Sequence, residues 1–401
     1  MKSTTTSTFI FIWFGAAVSL AEILTGTFFA PLGFERGMLA VVIGHLIGCT
    51  LFWLAAYIGA KTGKSAMETV KLSFGKYGSF VFSFSNVAQL IGWTSIMIFS
   101  GAAAARYLVP ELGQAAWCVI IGALIVIWIA LSLKNMSRVQ TGAALLLLGL
   151  TMVMSFVIFG GMQPVAAAPN EGIAFGAAVE LAVAMPLSWL PVVSDYTRHA
   201  KKPKAATTAA TLAYFVGSTW MFALGLGAAL FAGSGDIAQI FSAAGLGVLG
   251  ILIVVFSTVT TTFLDAASAG FSARSILSKI NAKWAGIIAA LIGTALAIFA
   301  PVARFEEFLY LIGSIFAPMI AVMIVDFYFR GNDSSQKGFD VTNIVIWLFG
   351  FVLYRVSMSW DIVVGNTLPV ILIVGLTTLI VHKLKQGMST RKQVSTKQIK
   401  E

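Results

Sequence analysis

The sequence predicts an all-α polytopic membrane protein with twelve transmembrane helices. Three observations carry this expectation. First, 58% of the 401 residues are hydrophobic and only 10% are charged. The mean hydropathy is +0.92, a balance foreign to soluble domains of this length. Second, apolar stretches of the roughly 20 residues needed to cross hydrocarbon recur between short polar loops. Third, basic residues mark alternate loops. With the N-terminus in the cytoplasm, all but four of the 26 Lys and Arg residues, Arg36, Arg106, Arg304 and Arg355, fall on that side. This is the positive-inside rule. Strands of a membrane β-barrel run only about 10 residues with alternating polarity, which this sequence does not show.

The spans are expected at 8–33, 37–60, 78–105, 115–133, 140–162, 173–194, 205–233, 245–272, 284–300, 304–329, 340–357 and 361–382. Span one is too long for a signal-peptide core and lacks a clear cleavage site, so it is expected to be retained. Lys61, Lys64, Lys71 and Lys76 follow span two, and Lys134 and Arg138 follow span four. Arg198, Lys201, Lys202 and Lys204 follow span six; Arg274, Lys279 and Lys283 follow span eight. The net charge of +10 is therefore topogenic. Spread over loops rather than gathered on one face, it argues against a nucleic-acid partner. Cys49 and Cys118 both fall inside spans and suggest neither a disulfide framework nor a metal site.

The chain reads as one transmembrane domain, 1–401. Residues 8–162 would form a first repeat and 173–329 a second, inverted one, because each holds an odd number of spans. Two further helices, 340–382, follow, and the Lys/Ser/Thr-rich tail 383–401 is expected to be a disordered cytoplasmic segment. In transporters built from inverted repeats, substrate binds near the midplane at broken helices in corresponding positions. Span one carries Gly15, Ser19, Glu22 and Gly26; span six, its counterpart, carries Pro186 and Pro191 around Ser188 and Trp189. Two prolines five residues apart predict a break.

Glu22 lies about fourteen residues into span one, near the bilayer midplane. An ionisable group at that depth normally faces a bundle interior or cavity and marks a binding site or pathway. Gln89 and Trp93 share one face of span three at a similar depth, Trp189 lies deep in span six, and Ser257, Thr258, Thr260, Thr261 and Thr262 lie deep in span eight. Asp265 follows one turn further on. Indole faces stack on a flat ring, while carboxylate, amide and hydroxyl groups match its edge. The set suits a flat polar heterocycle. No metal-ligand cluster or paired nucleophile and base shares one depth, so an enzyme is not expected. A passive channel is disfavoured by broken helices around a polar midplane. His45 is expected to hydrogen-bond between helices.

Several segments resemble cytosine permease and its relatives in the nucleobase–cation symporter family. They are Tyr57-Ile-Gly-Ala-Lys61-Thr62-Gly63, Leu72-Ser-Phe74-Gly75, Gly92-Trp93, Ser194-Asp195-Tyr196-Thr197-Arg198, Ala317-Pro318 and Val325-Asp326-Phe327-Tyr328. They recur in order from about residue 37 to 330. Within the family, the chain looks closest to the hydroxymethylpyrimidine transporters, relatives that carry a thiamin precursor. The resemblance implies a five-plus-five inverted repeat like that of amino acid–sodium symporters, alternating access, and no cofactor. It implies a substrate site at Gln89, Trp93, Ser188 and Trp189, to which Glu22, Thr262 and Asp265 are added here. It further implies a coupling ion, sodium or proton. The sodium ligands would be Ser257, Thr258 and Thr261 with span-one carbonyls near Ser19, whose oxygen chemistry suits a hard cation. Asp195 and Arg198 would gate the cytoplasmic side. The expected function is cation-coupled import of a pyrimidine, with cytosine or another nucleobase as the alternative. The expected setting is a prokaryotic inner membrane, with both termini cytoplasmic, acting as a monomer.

Overall fold

The computed structural model describes residues 4–131, 136–161, 172–235, 239–240, 245–300 and 305–398. The basic residues Lys134 and Arg304 lie outside them. The architecture is helical throughout, with one isolated β-bridge, Thr4 to Ala200, among the described residues. Among the described residues, ten helical segments are long and apolar enough to cross a membrane, and one bent pair qualifies only when taken together. Large apolar side chains such as Phe11, Phe84, Phe156 and Phe299 are exposed on the outside of the bundle, as lipid contact requires.

Span one is the bent pair: α1 (Thr6–Ala17) and α2 (Leu20–Thr27) meet at 48°. After a short 3₁₀ turn come α3 (Gly33–Thr62), α4 (Ala66–Phe74) and α5 (Gly78–Arg106). The short α4 is not among the sequence expectations. Its start is a formed capping box, in which Ser65 and Glu68 satisfy each other's backbone donors. Next come α6 (Gly113–Leu131), α7 (Met136–Gly161), α8 (Phe175–Ser188), α9 (Leu190–Thr197) and α10 (Pro203–Ala232). Then follow α11 (Gly247–Ile276), α12 (Ala282–Phe299) and α13 (Phe305–Ile324), the last ending in a π-helical turn, Val325–Arg330. The shorter apolar α14 (Val341–Ser357) and α15 (Thr367–Gln398) complete the chain. Helix α15 continues through the segment from Lys383 that the sequence reading expects to be disordered.

The combined span Phe175–Thr197 lies at the centre, with 89% of its apolar stretch buried against 28% for Pro110–Leu131. Small residues bring its neighbours in. At Gly48 an added Cβ would lie 2.4 Å from the ring of Pro186, so α3 rests directly on α8. At Gly225 on α10 it would lie 2.0 Å from the Ile23 carbonyl oxygen. Lipid tails are as apolar as side chains, so such backbone-to-backbone approaches supply much of the packing energy in a membrane. The second crossing presses α2 against α10 and faces Glu22 toward Tyr214 and Ser218.

The outer ends are tied by polar clusters. Glu180 on α8 accepts from the Tyr354 hydroxyl (2.5 Å), the Thr367 hydroxyl (2.5 Å) and the Thr367 N–H (2.8 Å), fastening α14 and α15 to the central span. At the other end, Asp326 pairs with Arg330 and accepts from Asn343 Nδ2 (2.8 Å). Tyr328 donates to the Leu54 carbonyl at 2.9 Å.

Gly225→Ala should lower the apparent melting temperature of the purified protein, as overpacking costs of about 1–3 kcal/mol imply. Gly15→Ala, where a Cβ would meet nothing within 4 Å, should leave it unchanged. Equal melting curves for the two variants would contradict the close α2–α10 crossing.

Candidate functional site

The site is built around interrupted backbone. Val18–Ser19 breaks span one because Ser19 adopts an extended conformation (φ −139°, ψ 156°) and its side chain accepts from the Glu22 N–H at 3.3 Å. The Ser19 N–H turns to the Ala17 carbonyl at 2.9 Å. Gly15 and Val18 carbonyls thereby lose their normal helical donors, the N–H groups four residues on. Ser19-Leu-Ala-Glu22 has the same S-x-x-E pattern as Ser65-Ala-Met-Glu68. The second pair closes its capping box; at the first, the Glu22 side chain turns away to α10.

Glu22 is buried, with Oε1 accepting from the Tyr214 hydroxyl at 2.6 Å and Oε2 from the Ser218 hydroxyl at 2.8 Å. Ser218 Oγ also lies 2.5 Å from His45 Nε2, and His45 Nδ1 lies 2.9 Å from the Val41 carbonyl. The helix-bridging expectation for His45 thus describes its contact with α10. The Trp13 ring meets Tyr214 edge-to-face at 6.3 Å, so Glu22 stands behind that aromatic pair.

The two prolines of span six produce a gentler interruption than expected. Trp189 stays near helical geometry (φ −83°, ψ −15°), and α8 and α9 run on as one span. The turn tightens instead: Val192 N–H bonds the Trp189 carbonyl at 3.0 Å, three residues back. This leaves the Ser188 carbonyl without its helical donor. Gln89 Nε2 supplies one from α5 at 3.0 Å, and also donates to Asn86 Oδ1 at 2.8 Å. Asn86 Nδ2 donates in turn to Ser272 Oγ at 2.8 Å on α11. Sequence reasoning missed Asn86 and Ser272, although Asn86 and Gln89, three apart on one helix face, are a legible signal.

Two buried polar atoms here have no hydrogen-bond partner, Gln89 Oε1 and Trp13 Nε1. One is an acceptor and the other a donor. Buried polar groups are nearly always paired, so both atoms are open to a further partner. Trp13 meets Trp189 edge-to-face at 5.4 Å. Trp93 meets Phe305 at 5.8 Å and Phe308 at 5.5 Å, both edge-to-face, and Phe28 stacks on Phe305. Each of the two expected indoles therefore has aromatic company of its own. The Ser188 hydroxyl donates to the Met185 carbonyl at 2.7 Å.

On α11 the hydroxyls divide into two groups. Ser257 donates to the Ala143 carbonyl of α7, and Thr260 and Thr261 both bond the Ser257 carbonyl of their own helix. Thr258 and Thr262 keep buried, unpartnered hydroxyls. Four residues apart, they share one face. The described residues contain no group of three or more His, Cys, Asp or Glu suited to a metal ion. Asp265 is half-buried near Tyr196. Asp195 Oδ1 accepts from the Ala66 N–H at 2.9 Å, capping α4 against the end of α9, while Arg198 Nε donates to His199 Nε2. Thr4 bridges the same turn, its N–H bonding the His199 carbonyl at 3.1 Å.

The family model for permeases of cytosine/purines, uracil, thiamine and allantoin matches residues 2–392. The chain belongs to this family, the nucleobase–cation symporters. It is a multi-pass membrane transporter and not an enzyme. Cytosine permease of Escherichia coli (strain K12) is 26% identical over 370 residues, covering 90% of this chain and 85% of the relative. Mhp1, a nucleobase-cation-symport-1 family transporter solved closed with bromovinylhydantoin bound, matches with a TM-score of 0.77 at 18% identity. That match covers 94% of this chain and 92% of Mhp1. The inward-facing conformation of Mhp1 matches at 0.79 and 16% identity, covering 96% and 92%. The permease shares its fold with Mhp1.

Gln89→Leu should strand the Ser188 carbonyl and the Asn86 amide oxygen inside the permease. Thermal unfolding should show a loss of stability on the order of 1–3 kcal/mol. A wild-type melting temperature would mean that the tightened turn at Trp189 does not depend on Gln89.

Proposed function

We propose that this permease imports a pyrimidine by cation-coupled alternating access, and that its substrate is 4-amino-5-hydroxymethyl-2-methylpyrimidine. The observation that carries the reading is the unpartnered Gln89 Oε1, an acceptor held beside the Ser188 carbonyl in the most enclosed span. An exocyclic amine on a flat ring is the donor it lacks, and Trp13 Nε1 is a donor for a ring nitrogen or the hydroxymethyl oxygen. Trp93 and Trp189 would flank the ring, with the Ser188 oxygen at its edge and Thr262 and Asp265 toward α11. Glu22 acts by holding Tyr214, against which Trp13 packs. Cytosine is the second reading, favoured by the likeness to the Escherichia coli cytosine permeases; it presents the same amine beside a ring nitrogen.

A sodium site is proposed between the freed carbonyls around Gly15 to Ser19 and the hydroxyls of Thr258 and Thr262. The second threonine ligand is taken as Thr262 in place of the expected Thr261, because the buried Thr262 hydroxyl has no partner within the protein. Hard oxygen donors suit such an ion. Twelve spans in a five-plus-five inverted repeat with two added helices would place both interruptions at equivalent positions. A monomer in a prokaryotic inner membrane, with cytoplasmic termini and a gate at Asp195 and Arg198, completes the proposal.

Binding of a ligand to the folded state raises apparent stability with affinity and concentration. Hydroxymethylpyrimidine should raise the melting temperature more than cytosine, uracil or thiamin, and sodium should enhance the shift. Thr258→Val should remove the sodium enhancement, and Thr261→Val should retain most of it. Stabilisation by cytosine alone would replace the substrate. Silence from all four compounds would remove the pyrimidine reading.

A further inference from the structure

We infer that Glu22, Ser218 and His45 form a binding site for one exchangeable proton, and that this proton is a coupling ion of the transporter. The argument is a count of hydrogens. Val41 supplies a carbonyl oxygen, which only accepts, so the His45 Nδ1 at 2.9 Å carries a hydrogen. The neutral imidazole then has a bare Nε2, 2.5 Å from Ser218 Oγ. Ser218 Oγ also lies 2.8 Å from Glu22 Oε2. Two contacts meet at one hydroxyl that owns one hydrogen. Ionised Glu22 with neutral His45 leaves one of the two contacts as lone pair against lone pair. One added proton satisfies both. It sits on His45 Nε2, with Ser218 donating to the carboxylate, or on Glu22 Oε2, with Ser218 donating to the imidazole. The two placements interconvert by moving hydrogens along the chain, with no change of charge. Tyr214 cannot supply the missing hydrogen, since its hydroxyl is spent on Glu22 Oε1 at 2.6 Å.

The surroundings make the extra proton necessary. Glu22 and His45 are buried at 1% and 0% exposure, and an unpaired charge in such a place is strongly disfavoured. Phe222 and Phe215 cover the imidazole edge-on. The titratable groups facing the chain are Tyr214 from α10 and Cys49 from α3. Helix α8 meets α2 through Met185 at Thr25, and α1 meets Tyr214 through Trp13. The three members sit on α2, α10 and α3, so movement of α2 against the other two opens the chain. Hydration then lets water on the open side take or give the proton. The consequence for coupling rests on the transporter reading; the proton count does not.

Two measurements test the inference. In the unfolded chain Glu is ionised and His is neutral above about pH 6.5, so the folded protein holds one proton more. Stability is then full below that pH and falls as pH rises, by about tenfold in the unfolding equilibrium per pH unit, until the site empties. Wild type should lose melting temperature between about pH 7 and 9 more steeply than His45→Gln. In sodium-free proteoliposomes, a pH gradient acid on the outside should drive pyrimidine accumulation by wild type. His45→Gln and Ser218→Ala should retain counterflow and lose that accumulation. A wild-type pH dependence of melting in His45→Gln would overturn the proton site. Wild-type gradient-driven accumulation in both variants would overturn its coupling role. If wild type shows no counterflow with any pyrimidine, the substrate assignment fails, and the melting comparison still decides the proton site.

Discussion

The rest of the structure depends on one constraint: backbone broken at membrane depth must find its hydrogen-bond partners inside the protein. Span one breaks at Val18–Ser19, and Ser19 caps the second half with its own side chain. Span six tightens at Trp189 between two prolines, and Gln89 reaches across from α5 to take the stranded Ser188 carbonyl. Both repairs place polar groups in a bundle of otherwise apolar helices. Once there, those groups recruit others. Gln89 brings Asn86 and Ser272, and Glu22 brings Tyr214, Ser218 and His45. The candidate site is what these repairs leave over, an acceptor at Gln89, a donor at Trp13 and two hydroxyls at Thr258 and Thr262.

Two buried glutamates show how surroundings set what the same side chain can do. Glu180 receives three hydrogens, from Tyr354 and Thr367, each from a group with no other acid to serve. Every one of these donors is unshared, and the carboxylate holds two outer helices on the central span. Glu22 receives two, and one comes from a serine that also faces an imidazole. Its hydrogen bonding is complete only with a proton from elsewhere. The chemistry of the side chain is identical in the two places; the count of donors differs.

Much of this was legible in the sequence. Composition and stretch length announce a helical membrane protein, and the apolar stretches agree with the observed helices to within a few residues at most ends. Glu22, Gln89, Trp93 and Trp189 announce themselves because polar or indole groups are costly or unusual at mid-membrane depth. Four features were not legible. Helix α4 is too short and too polar to register against the spans, though its capping box is plain. The break at six reads as a full interruption because prolines show lost donors but not the 3₁₀-like bond that absorbs the loss. The threonine run conceals its register, since back-bonding to the helix is decided by rotamers; only the folded structure separates Thr261, bonded to its own turn, from Thr258 and Thr262. The partners of Glu22 lie 192 and 196 residues away, beyond any local pattern.

The most direct test is an experimental structure of the permease with 4-amino-5-hydroxymethyl-2-methylpyrimidine bound. The account predicts the exocyclic amine at hydrogen-bond distance, about 3 Å, from Gln89 Oε1, with the ring beside Trp189 and Trp93. A ligand bound elsewhere, with Gln89 Oε1 still unpartnered, would contradict it.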